Sequence, residues 1–292
     1  MLGTTALCAI YSVLKLIVFD VFPTDFDTVK QRCHMRRYNN MMSAYILFFL
    51  LCSLPNAYSQ DVLKKISETK IIRFGTTGDY KPFSYYNQEK NEYNGIDIDL
   101  INDLAKKLDA KVQIYKTSWP TLMDDYKSGK FDIAMSGISK TEERQKQALF
   151  SIGYMKDGKT AVALCKNKRK YKTFADIDKQ EIVVAVNPGG TNNKFVIANI
   201  KNATVVTYKD NNSIFDEIIK GNADVMFTDA VEAKLQHKLK PTLCVMIPVI
   251  KSTNNEIVAL LTKDAEWKEY VDKWLSKLIQ TKKLKKIIEN HL

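Results

Sequence analysis

182-IVVAVNPGGT-191 reads as an apolar strand that stops at a glycine pair, and a helical pattern through Phe195 and Ile200 follows it. The run decides the fold because it is a second beginning. Upstream, a lead-in helix (Val62, Leu63, Ile66) meets the strand 71-IIRFGTT-77. After the loop 78-GDYKPFSYYN-87 comes an amphipathic helix over 95–108, with Ile98, Leu100, Ile101, Leu104 and Leu108 apolar. The strand 111-KVQIYKT-117, a helix after Trp119-Pro120, the buried strand 131-FDIAMSG-137 and a helix over 141–150, opened by a capping box, complete the first set. From 182 the pattern repeats: the strand 204-TVVTY-208 with the helix 211–221, then the strand 223-ADVMFTD-229 with a helix through Leu235. Strands joined by helix-length connections argue a parallel α/β sheet.

Two further segments make the units into lobes. 159-KTAVALC-165 crosses from the first to the second, and 256-EIVALLTKD-264 returns as a strand before a closing helix, 266–280. A chain that crosses out and back makes two lobes with a cleft between them: 60–161 with 253–292, and 162–252. Ligands of open α/β sheets bind beyond the carboxyl ends of strands. Thr76-Thr77, Ser136-Gly137, Asn187 to Thr191 and Thr228-Asp229 all lie there.

The chain has 292 residues, 45% hydrophobic and 26% charged, with a formal charge of +11. Removing the first 59 residues takes away five basic and three acidic groups and leaves +9. The surplus favours anionic ligands or an anionic envelope surface. The lysines are scattered without interleaved aromatics, which argues against nucleic acid. The run 282-KKLKK-286 reads as the solvated face of an amphipathic helix with Leu278, Ile279, Leu284, Ile287 and Ile288 on its other side.

The front end reads as targeting. 44-AYILFFLLCSL-54 is too short to span a bilayer and is followed by Pro55 and the small-x-small site 57-AYS-59, as in a secretory signal peptide cleaved before Gln60. Its n-region is 35-MRRYNN-40, so translation starting at Met35 would make residues 1–34 an upstream segment. The alternative is a membrane segment at 6–22, interrupted by Lys15 and Asp20. Cys8, Cys33 and Cys52 fall in this region, leaving Cys165 and Cys244. In an exported protein that pair reads as one disulfide, against the alternative of two buried thiols.

The candidate site residues each have a local alternative. In 228-TDAVEAKLQ-236, Asp229 and Glu232 are either the N-cap and N3 residue of a capping box or two carboxylates aimed into a cleft, one of them suited to acid catalysis. 136-SGISKTEER-144 makes an anion site of free backbone N–H groups with Arg144, or is a capped surface helix. 187-NPGGTNNKF-195 lets backbone approach a ligand, or is a plain turn; it has no phosphate-loop spacing. Tyr80 and Trp119 wall a ring-shaped pocket, or pack a core. No metal site is expected, because His34, His237 and His291 are isolated, and no GxSxG nucleophile motif occurs.

These runs carry a resemblance. Residues 60–292 resemble the family 3 extracellular solute-binding proteins, and within them the periplasmic cyclohexadienyl dehydratases. The matching runs are 75-GTTGDYKPFSY-85, 117-TSWP-120, 131-FDIAMSGIS-139, 157-DGKT-160, 187-NPGGTN-192 and 228-TDAVEAKLQ-236, and Cys165 and Cys244 fall where those dehydratases carry cysteines. The resemblance implies a two-lobed α/β fold of the periplasmic-binding-protein type II. It implies an exported lyase acting on prephenate or L-arogenate without cofactor or metal; the alternative is a non-catalytic amino-acid binder of a transporter or sensor. The oligomeric state is left open, a homo-oligomer included. Residue by residue, Arg144, Ser139 and the Gly137 backbone would hold a substrate carboxylate, and the Gly190-Thr191 backbone would close on it. Tyr80 and Trp119 would flank the ring. Asp229 falls where amino-acid binders hold the ammonium group, and Glu232 where the dehydratases have their general acid. Asn187 would orient the ring carboxylate or the acid, and Lys159 would hold Glu232.

Overall fold

A computed structural model describes residues 61–253 and 255–292. The signal peptide, the cleavage before Gln60, the segment 6–22, His34 and Cys8, Cys33 and Cys52 lie outside the described residues. Among those described, no helix is long and apolar enough to cross a membrane.

The chain opens with helix α1 (Val62–Thr69), whose Lys64 N–H donates to the Asp61 side chain at 2.8 Å, and strand β1 (Ile71–Thr76). The expected loop over 78–87 is instead a small antiparallel sheet, β2 (Asp79–Tyr80), β3 (Ser84–Asn87) and β4 (Glu92–Asn94). Then come α2 (Ile96–Lys107), β5 (Lys111–Lys116), α3 (Leu122–Lys127) and β6 (Ile133–Ala134). The helix expected over 141–150 is one turn, α4 (Glu142–Gln145), followed by strand β7 (Leu149–Phe150). Its start is a simple cap: the Arg144 N–H donates to Thr141 Oγ1 at 3.3 Å, and Arg144 itself has no acceptor with which to complete a box.

β8 (Met155–Asp157) leads through Gly158 to β9 (Lys159–Leu164). The second set is α5 (Phe174–Ile177), β10 (Val183–Val186), α6 (Thr191–Asn199), β11 (Thr204–Thr207), a 3₁₀ turn (Asn211–Ser213), α7 (Ile214–Lys220), β12 (Val225–Asp229), α8 (Ala230–Leu239) and β13 (Leu243–Val245). β14 (Asn255–Ile257), β15 (Leu260–Leu261), α9 (Ala265–Gln280) and α10 (Lys283–Asn290) close the chain.

Two five-stranded sheets result, ordered β5-β1-β6-β15-β7 and β11-β10-β12-β9-β13. β1 pairs parallel with β5 and β6, and β10 parallel with β11 and β12, as helix-length connections require. β15 and β9 enter antiparallel because they belong to the crossing segments. Between the sheets β14 pairs antiparallel with β8. Lys159–Ala163 of β9 pair with β12 and Leu164 with β13, so a lobe boundary at 161/162 would cut a strand of the second sheet; that strand begins just after Gly158.

Each sheet has its own core. α9 places Trp267, Val271, Trp274, Leu275 and Leu278 at helical spacing against Ile72, Phe74, Ile133 and Leu261. Full burial of each such side chain contributes roughly 1.5–3 kcal/mol. α10 is a separate helix, because Lys282 turns left-handed at φ 57°; Leu284 and Ile287 are buried, and the lysines of 282–286 are exposed. In the second lobe Val184, Val225 and Phe227 pack with Ile182, Val196 and Tyr171.

Cys165, just past β9, and Cys244 of β13 form a disulfide with Cα atoms 4.8 Å apart, 79 residues apart in sequence. Loop-closure entropy for such a span is worth about 4 kcal/mol as an upper figure. The denatured, unreduced chain from Gln60 onward should titrate no free thiol, and reduction should lower the denaturant midpoint. Two titratable thiols would contradict the pairing.

Candidate active site

The site is built where β12 turns into α8. Val225–Asp229 is wholly buried, and Asp229 keeps extended backbone (φ −73°, ψ 145°) before the helix starts. The capping box expected in 228-TDAVEAKLQ-236 does not form: Asp229 makes no side-chain cap bond. The cap comes from the crossing strand instead. The Asp157 carboxylate accepts the Ala230 and Val231 N–H groups, each at 3.1 Å, and the Gly158 N–H at 2.8 Å. Burial, and then the charge of Asp229, push the Asp157 pKa up to about 6.

Freed from capping, Asp229 is an acceptor for two buried donors. Its Oδ1 accepts Lys159 Nζ at 2.6 Å, and its Oδ2 accepts the Tyr80 hydroxyl, which comes from the other lobe. Lys159 is 3% exposed. Its ammonium also donates to Asn192 Oδ1 at 2.5 Å and Thr191 Oγ1 at 2.9 Å, so its three protons are all used. The expectation that Lys159 holds Glu232 is therefore corrected. Lys159 holds Asp229, and reaches Glu232 only through Asn192, whose Nδ2 donates to Thr228 Oγ1 at 3.3 Å, and through Thr228.

Glu232 lies one turn on, 0% exposed. Oε1 accepts Asn211 Nδ2 at 2.8 Å, and Oε2 is hydrogen-bonded to Thr228 Oγ1. Burial pushes its pKa up to about 8; the hydrogen bonds from Thr228 and Asn211 oppose the rise, and the charges of Asp229 and Asp79 add to it. The shift favours the protonated carboxyl at neutral pH.

Tyr80, Trp119, Gly137 and Ser139 of one lobe face Asn187, Gly190, Thr191, Asn192 and Asp229 of the other across a closed cleft. A water-sized sphere finds only about 10 Å3 there. A ring-sized ligand therefore enters only when the lobes part. Trp119 meets Tyr80 edge-on at 5.6 Å, and Tyr80 stacks on Phe83 at 5.7 Å. Among the described residues, the buried Asn187 Oδ1 in the wall has no hydrogen-bond partner. Gly189 (φ +83°) lies against Pro120: a Cβ there would come within 2.6 Å of the Pro120 nitrogen, so the lobes meet on bare backbone.

Arg144 is 8% exposed; its Nη1 donates to the Ser139 carbonyl at 3.0 Å, the one hydrogen bond its guanidinium makes among the described residues. Neither Arg144 nor Glu232 touches the small closed cavity; both stand just behind its wall. The Gly137 N–H, expected to face a substrate carboxylate, instead donates to Asp97 Oδ2 at 2.7 Å. Asp97 also accepts the Tyr154 hydroxyl at 2.7 Å, and burial pushes its pKa up to about 7. Asp97, Asp157, Asn192 and Asn211 were not singled out from the sequence. Asp97 had a signal, since it sits on the apolar stripe of α2 with Ile101 and Leu104. His237 is not isolated either: its ring lies within 4.8 Å of the Cys165 and Cys244 sulfurs, which the disulfide uses.

The chain belongs to the bacterial extracellular solute-binding proteins, family 3, whose pattern it matches over residues 72–292. Over 257 residues it is 43% identical to a cyclohexadienyl dehydratase of Pseudomonas aeruginosa, covering 88% of this chain and 96% of that one. Among solved structures it is similar to an ancestral amino-acid-binding protein described as a precursor of cyclohexadienyl dehydratase. The TM-score is 0.73 and the identity 34%, over 78% of this chain and 98% of that one. An ancestral cyclohexadienyl dehydratase is 43% identical at TM-score 0.50, over 81% and 97%.

Two outcomes follow. The folded state keeps a proton on Glu232 between the ordinary carboxylate value of 4.5 and about 8, where the unfolded chain has lost it. Stability should therefore fall as pH rises through that window, and Glu232→Gln should remove that part of the slope in denaturant titrations. An unchanged slope would mean an ionised Glu232. Lys159→Met leaves Asp229 buried without its cation and should cost about 3–5 kcal/mol. A loss below about 1 kcal/mol would show the pair to be solvated.

Proposed function

We propose that the protein is an exported cyclohexadienyl dehydratase that converts prephenate to phenylpyruvate, and L-arogenate to L-phenylalanine. The observation that carries this reading is Glu232, a fully buried carboxyl with its pKa near 8, set one turn behind the cleft wall. A binding protein has no use for a neutral acid there. The 43% identity to the Pseudomonas dehydratase supports the same reading.

The reaction consumes one proton. The leaving ring hydroxyl takes it from Glu232 and departs as water. The bond from the ring to its carboxylate breaks, CO2 leaves, and that electron pair completes the aromatic ring. Aromatisation supplies the driving force, so the protein supplies orientation and one acid. Arg144, Ser139 and the Gly190-Thr191 backbone hold the side-chain carboxylate; Tyr80 and Trp119 flank the ring. Asn187, whose buried Oδ1 has no partner among the described residues, orients the ring substituents. As the lobes close on substrate, Glu232 exchanges Thr228 for the leaving hydroxyl.

Asp229 is already neutralised by Lys159 at 2.6 Å. That weighs against the second reading, an amino-acid binder of a transporter or sensor, because an ammonium ligand needs an acid free to receive it. We place the lobes at 60–158 with 253–292, and at 159–252. The mature chain starts near Gln60 in the periplasm.

Purified protein incubated with prephenate should produce phenylpyruvate, seen by its absorbance in alkali. Glu232→Gln should lower single-turnover rate by about 100-fold or more with prephenate affinity kept, whereas Arg144→Ala should weaken affinity. Tight binding without turnover by the unaltered protein would leave it a binder.

A further inference from the structure

Glu232 is held by two side chains of different capability, and the difference assigns its proton. We infer that Asn211 is a positioning residue for Glu232: its amide fixes which carboxyl oxygen carries the proton and waits to receive the anion formed when that proton leaves. The inference rests on the dehydratase reading above.

Asn211 opens the 3₁₀ turn before α7 and is 0% exposed, like Glu232. Its Nδ2 donates to Oε1 at 2.8 Å. An amide NH2 donates and cannot accept, and in a neutral carboxyl the carbonyl oxygen is much the stronger acceptor, so the oxygen facing it is the one without the proton. Oε2 faces the Thr228 hydroxyl, which does either. The proton of the neutral acid therefore sits on Oε2, beside Thr228 and Asn192, and Asn192 is part of the cleft wall. When Oε2–H gives its proton to the leaving hydroxyl, the new carboxylate already has a donor on Oε1. A donor aimed in advance at developing charge needs no rearrangement at the moment of reaction.

The turn is built to hold that amide. The Asp210 carboxylate accepts the Asn212 N–H at 3.0 Å, and the Ser213 hydroxyl donates to the Asp210 carbonyl at 2.8 Å. Asn211 Oδ1 is buried without a partner among the described residues. An apolar side chain would leave no such unpaired oxygen, so the position tolerates a costly carbonyl for the sake of the NH2 beside it. The turn also packs on β2 of the other lobe, which brings Asp79 and Tyr80 toward the same acid.

The charged groups around Glu232 are Asp229 on its own helix, neutralised by Lys159 of β9; Asp79 of β2, itself facing Asp210 of the turn; and Asp157 of β8 at the helix start. The Tyr80 hydroxyl from β2 completes the shell. With these unchanged, removing Asn211 takes away one of the two hydrogen bonds that favour the ionised form. Glu232 should then hold its proton to higher pH.

The test is kcat and KM for prephenate against pH in the unaltered protein, Asn211→Ala and Asn211→Asp, with a 13Cδ NMR titration of Glu232 in each. Asn211→Ala should lose about tenfold in kcat, the worth of one hydrogen bond to a charged group, keep its KM, and move the alkaline limb and the Glu232 midpoint upward. Asn211→Asp sets a second carboxyl against Oε1. The pair then shares one proton and the limb moves up again. Unchanged kcat and limb in Asn211→Ala would reduce Asn211 to packing, and a rise in KM alone would make it a substrate contact; either overturns the inference. If Asn211→Ala does not fold, the near-isosteric Asn211→Asp decides by its limb and midpoint. No turnover by the unaltered protein would remove the dehydratase reading, while the Glu232 titrations would still decide whether Asn211 sets the acid.

Discussion

The site depends on one contact: the Asp157 carboxylate on the first N–H groups of α8. A helix start needs acceptors, and an anion there is favoured by the dipole as well. Had Asp229 and Glu232 supplied them, as their spacing allows, both would have been spent on backbone. Because a residue of the crossing strand caps the helix, Asp229 can pair with Lys159 and Tyr80, and Glu232 can stay uncharged behind it. The same contact ties the strand between the lobes to the helix that carries the acid.

Burial does the rest. In the closed cleft a carboxyl without a cation of its own is cheaper to keep neutral than to ionise, and among the described residues Glu232 has two hydrogen-bond partners but no cation. Asp229, only three residues earlier, has the cation. Two acids on one turn thus meet different surroundings: Asp229 lies against an ammonium, and burial pushes the Glu232 pKa up, the contrast that acid catalysis requires. Access is the complementary constraint. The cleft holds about 10 Å3, so chemistry is confined to cycles of opening and closing. The Glu143–Lys194 pair, exposed on both sides, adds little to closure.

Much of this was legible in the sequence, unevenly. Apolar runs such as Val225–Phe227 and Ala161–Leu164 announced the strands, and strand ends announced the polar residues of the cleft. The helix over 141–150 was overread because 141-TEERQKQ-147 is rich in helix formers and no turn residue stops it before Leu149 and Phe150; those two pair instead with Leu261 and Leu260, a contact no local rule contains. The partners of the site were hidden for the same reason. Asp157 caps α8 from 73 residues away, Lys159 reaches Asp229 across 70, and Asp97 reaches Gly137 across 40. Residue type and local spacing gave Asp229 and Glu232 equal claims to the capping box, and only the fold separated them.

The central claim is that Glu232 is a neutral acid in the folded protein at neutral pH. Difference infrared spectroscopy between the unaltered protein and Glu232→Gln tests it without substrate. The account predicts a protonated-carboxyl C=O stretch at pH 7 that is absent from the variant and fades as pH rises through about 8. A carboxylate band for Glu232 at pH 7, with no such stretch, would contradict it.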